Sequence, residues 1–188
     1  MAFKIFDKES PIRFILVFLS LFLILYYFNI LFFGITSPGN HYSAFLDEHL
    51  NYIRLLRYLL LHISATIINW LGFTAITSDY GLLVAGHATI QLVYSCLGLG
   101  VMSFFTAFVI AYPKKLKAKV LFLIIGIVGI QALNILRFVL LALFWNKQNG
   151  LILDHHTIFN IIIYIIIAIS LYFWVKHDDN KTISRAKN

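Results

Sequence analysis

Val93-Tyr94-Ser95-Cys96-Leu97-Gly98-Leu99-Gly100 is where a polar segment turns into a long apolar one. Upstream stand Gly81, Gly86, His87, Thr89 and Gln91, a glycine-rich and polar stretch unlike its surroundings. Downstream, Leu97 to Tyr112 is almost wholly apolar and reads as a membrane helix. The stretch also holds Cys96, the only cysteine of the chain, in or near the first turn of that helix. Unpaired N–H groups and the positive end of the helix dipole favour an anion there. A thiol in such a place is activated, because the thiolate is the reactive form. The alternative is a small buried apolar filler.

Composition sets the class. Of 188 residues, 61% are hydrophobic and only 12% are charged, too few to cover a water-soluble surface. Long uncharged apolar runs point to an all-α, polytopic integral membrane protein. The net charge of +7 comes in short basic clusters between apolar runs, a topology signal and no sign of nucleic-acid binding. A single cysteine excludes an internal disulfide.

Working outward, about five membrane segments are expected. The first is Phe14 to Ile35, ended by the turn-forming cluster Thr36-Ser37-Pro38-Gly39-Asn40. His41 to Arg57 mixes polar and apolar residues and reads as an amphipathic interfacial helix. Leu59 to Ile76 is the second segment, softened by His62, Ser64, Thr66 and Asn69. Thr77 to Tyr94, with glycines among β-formers, reads as an extracytoplasmic hairpin or loop. The third segment, Cys96 to Tyr112, stops at Pro113 and a basic loop. Val120 to Trp145 and His155 to Val175 are the fourth and fifth, and a charged, frayed tail fills 176–188. The whole chain, 1–188, is read as one membrane domain.

Four lysines between Lys114 and Lys119 place that loop in the cytoplasm. Cys96 and the residues near His155 then fall on the outer side, and the basic tail returns inside. The front half conflicts with this. With Lys4, Lys8 and Arg13 inside, two full crossings would also bring Thr77 to Tyr94 inside. Either the N-terminus is outside or one early segment does not cross.

Three groups invite chemistry. Gln131, Asn134 and Arg137 are spaced by three and line one face of the fourth helix. An arginine within a membrane segment is costly and marks function, unless it snorkels to the headgroups. Asp154-His155-His156 opens the fifth helix, with Asp154 a suitable N-cap. Adjacent histidines point about 100° apart and chelate metal poorly, so no metal or cofactor is expected. Cysteine, arginine and histidine are what acyl transfer through a thioester requires: nucleophile, anion stabiliser and proton shuttle.

On these residues the chain resembles the exosortase/archaeosortase family. Cys96-Leu97-Gly98 is similar to its Cys-Ser-Gly-type signature, Asn134-Ile135-Leu136-Arg137 to its Asn-x-x-Arg motif, and Asp154-His155 to the start of its last helix. The likeness covers roughly Leu59 to Val175. The chain departs in having Leu97 where a small residue is usual, and in having fewer membrane segments than longer members. The resemblance implies a cysteine protease or transpeptidase at the outer face of the cytoplasmic membrane. It implies substrates that are exported proteins ending in a short motif, a membrane helix and a basic cluster, with an unidentified acceptor. Cys96, Arg137 and His155 would be catalytic, with His156 and Asn134 as reserve or supporting residues. The rivals are a non-catalytic membrane scaffold and a small transporter lined by Gln131, Asn134 and Arg137.

Overall fold

The computed structural model describes residues 11–39, 41–87, 89–144 and the helix backbone of 155–186, with side chains of that helix at 159–176. These residues fall into two compact units, divided after 144. The first carries α1 (Pro11–Thr36), α2 (Ala44–Leu50), α3 (Tyr52–Trp70), β1 (Ala75–Thr77), β2 (Gly81–Val84), β3 (Thr89–Gln91), α4 (Leu99–Ala111) and α5 (Leu116–Phe144). The second is the single helix α6 (His155–Ala186).

Helix α1 is uncharged from Phe14 onward and fully buries only Thr36. Such a surface is stable only against hydrocarbon. Its phenylalanines recur every fourth residue, so Phe14, Phe18 and Phe22 form one ridge. That ridge meets Phe104, Phe108 and Tyr112 of α4 edge-on, with ring centroids 5.3 Å apart for Phe18–Phe104 and 5.4 Å for Phe14–Phe108. Near its other end, Phe33 packs at a tilt against Tyr94, ahead of α4. The two helices are therefore antiparallel. The start of α1 and the Lys114–Lys119 loop share one end of the unit, and Cys96 lies at the other.

Helix α3 starts beside the C-terminal part of α1, where the Tyr52 ring lies tilted against Phe32 and its hydroxyl donates to Asn29 Oδ1 at 2.6 Å. It ends by feeding β1 at the Cys96 end, packed on the sheet and the C-terminal half of α5. The expected second segment, Leu59 to Ile76, is not among the described helices long and apolar enough to cross a membrane. Arg54, Arg57, His62, Ser64, Thr66 and Asn69 keep α3 too polar. It also ends early, at Gly72 with φ +91°, before β1 starts at Ala75. The buried face of α3 (Ile53, Leu60, Leu61, Ile68) instead packs with Leu82, Val84, Leu92 and Leu97 in one core.

The expected hairpin is a three-stranded antiparallel meander, with Ile76 opposite Leu83 and Leu82 opposite Ile90. It adds a small sheet to a fold read as all-α. Alternation turns Leu82 and Val84 inward and Leu83 outward.

Among the described residues three helices are long and apolar enough to cross a membrane: α1, α5 and Phe159–Lys176 within α6. The 13 residues of α4 are apolar but rise only about 20 Å, short of a hydrocarbon core of about 30 Å. The expected segment from Cys96 is trimmed because Gly98 breaks the chain ahead of it. In the second unit the helix runs on through the tail expected to be frayed, to Ala186. No proline or glycine follows His155 to stop it.

Candidate functional site

Cys96 is not in the first turn of α4. It sits in a short 3-10 turn, Tyr94–Leu97, followed by Gly98 at φ +73° and then by the start of α4 at Leu99. The left-handed residue sets the turn off from the helix, so the sulfur is presented by a separate loop. That loop is held from α5. Gln131 Nε2 donates to the Leu97 carbonyl at 3.3 Å and Asn134 Nδ2 to the same oxygen at 3.5 Å. Asn134 also donates to Gln131 Oε1 at 3.1 Å, which ties the two amides together.

The third residue of the stripe faces the sulfur. Arg137 Nη2 donates to Cys96 Sγ at 3.7 Å, with Arg137 only 2% exposed and Cys96 7% exposed. Snorkelling is thereby overturned: the guanidinium is buried and turned towards the cysteine loop. A buried guanidinium whose donor reaches a sulfur stabilises negative charge on it or beside it. The face read from the period of three thus brings Gln131, Asn134 and Arg137 together on one turn of backbone.

Behind the loop, the Phe33 ring lies tilted against Tyr94 with centroids 4.5 Å apart. Burial, reinforced by the nearby Tyr52 and Tyr26 hydroxyls, pushes the Tyr94 phenol above its usual range. A second polar knot fixes the helices below. Asn29 Nδ2 donates to Ser103 Oγ at 3.1 Å while Asn29 Oδ1 accepts from Tyr52, joining α1, α3 and α4. Such interhelical bonds contribute about 0.6–2 kcal/mol in membranes. Neither Asn29 nor Ser103 is singled out by sequence, because a lone amide in an apolar helix has no period to reveal it.

His155 is the first residue of α6. Its side chain, that of His156, and Asp154 as a whole lie outside the described residues.

Compared with known proteins, the chain matches the family model described as transmembrane exosortase over residues 10–174. No curated protein and no solved structure matches it.

Proposed function

Because the chain belongs to the transmembrane exosortase family, we propose that it is a membrane cysteine protease or transpeptidase acting on C-terminal sorting signals of exported proteins. Cys96 Sγ attacks the scissile carbonyl and forms a C–S bond. Arg137 balances the charge on the sulfur and then on the oxyanion. As the C–N bond breaks, His155 gives a proton to the leaving amine and leaves a thioester. His155 then takes a proton from the acceptor, which displaces Cys96; His156 is the alternative shuttle. Asn134 holds the cysteine loop. The lysine loop at the far end of the unit supports an extracytoplasmic Cys96 and a location in the cytoplasmic membrane.

One observation carries this reading: a buried arginine from α5 donates to the only cysteine of the chain. In cells exporting a protein with a motif–helix–basic tail, Cys96→Ala should abolish processing while membrane insertion continues. Cys96→Ser should be nearly inactive, since a hydroxyl is far harder to ionise than a thiol. Normal processing by the alanine variant would end the proposal.

The burial of Cys96 favours a second reading, a non-catalytic membrane scaffold in which the thiol is packing. Labelling of intact cells with a membrane-impermeant maleimide separates the two. Fast reaction supports the enzyme, and an inert thiol supports the scaffold.

A further inference from the structure

Arg57 carries a buried charge with no salt bridge among the described residues. It is 7% exposed, and its guanidinium lies 4.5 Å from the centre of the Tyr80 ring. Its Nε has no hydrogen-bond partner among the described residues. Asp47, which lines the same cleft, is already engaged: it accepts from Tyr42 and Asn51 and pairs with Arg54. A buried guanidinium without an anion is costly. The aromatic face eases that cost but does not neutralise the charge.

Arg57 lines a cleft of about 1030 Å³, between the end of α1, helices α2 and α3, and the β1–β2 turn. Phe33, Thr36 and Pro38 form one wall. Because α1 up to that point exposes apolar side chains, this wall stands where hydrocarbon gives way to headgroups. Glu48 and Asp79 are exposed at the rim. A second cavity, about 360 Å³, shares Tyr52 and Leu55 with the cleft and runs down between α1, α3 and α4. Leu25, Leu56, Leu59 and Leu99 give it an apolar lining.

A cation at headgroup depth, acidic groups beside it and an apolar groove leading away are complementary to one amphiphile. We propose that Arg57 anchors the phosphodiester of a zwitterionic membrane phospholipid, with an acyl chain in the Leu56–Leu59 groove. The primary ammonium of an ethanolamine headgroup faces Glu48 and Asp79. An acidic peptide would satisfy Arg57 but would leave the groove unused.

The test is native mass spectrometry of the full chain in detergent, titrated with dioleoyl phosphatidylethanolamine or with dioleoylglycerol, which has the same chains and no phosphate. Wild-type protein should retain one phosphatidylethanolamine and no dioleoylglycerol. Arg57→Gln should weaken retention roughly tenfold or more, the loss of a charge-assisted contact. Leu59→Trp, which leaves Arg57 in place, should weaken it by obstructing the groove. Should Arg57→Gln fail to fold, the two lipids on wild-type protein still decide. Equal retention of dioleoylglycerol would overturn the proposal in favour of ordinary lipid contact. Displacement of the phospholipid by the peptide acetyl-Gly-Glu-Gly-amide would overturn it in favour of a peptide site.

Discussion

Gly98 and Asn134 meet so closely that a Cβ on Gly98 would stand 2.5 Å from Asn134 Nδ2. The same glycine has φ +73°, a conformation that costs side-chain-bearing residues about 1–2 kcal/mol. The cysteine loop and the amide that holds it are therefore one mechanical unit.

Gly98→Ala should lower stability by about 1–2 kcal/mol from backbone strain alone, and by more if Asn134 cannot move aside. Because Asn134 is buried and tied to Gln131, the loop should shift instead. A lower melting temperature together with an altered maleimide rate at Cys96 is expected. An unchanged rate at Cys96 would mean that Asn134 does not govern the loop.

Arg137→Lys tests the group facing the sulfur. Lysine keeps the charge but loses the planar fork of donors, and its ammonium is costlier to bury. Processing should fall strongly while the protein still inserts. Activity close to wild type would show that a point charge near Cys96 is enough.

At the α2–α3 junction, hydrogen bonds from Asn51 and Tyr42 hold the Asp47 carboxyl below its usual range. The folded value lies under the unfolded one, so this stabilisation is complete above the ordinary aspartate range and is lost as pH falls through the folded value. Asp47 is on the surface, which keeps the effect small. Melting temperature should thus drop on acidification below about pH 4, and Asp47→Asn should remove that part of the drop.

Much of the site was legible because polar residues in an apolar helix declare their face. Gln131, Asn134 and Arg137 could be assigned to one surface by spacing alone. Gly98 could not, since a glycine beside apolar residues looks like helix interior; the side chain that a Cβ there would meet, Asn134, is distant in sequence. In Leu59 to Ile76, Leu60, Leu61 and Ile68 of α3 pack into the core with the sheet, a use that hydropathy does not distinguish from facing lipid. Arg57 stood in the sequence only as the end of a mixed polar and apolar stretch, because its partner Tyr80 arrives from the β1–β2 turn.

The last prediction separates the two histidines. His155 is the first residue of α6 and directly follows Asp154, the register in which the chain resembles its family. His156 lies on a face continued by Asn160 and Tyr164, four and eight residues on. Successive helical residues diverge by about 100°, so one ring at most can serve Cys96. Motif register favours His155. His155→Ala should abolish substrate cleavage, whereas His156→Ala should leave it within a fewfold of wild type. The reverse pattern would move the proton shuttle to His156. If both variants cleave normally, neither ring carries the proton, and the chemistry would have to run on Cys96 and Arg137 with another acid.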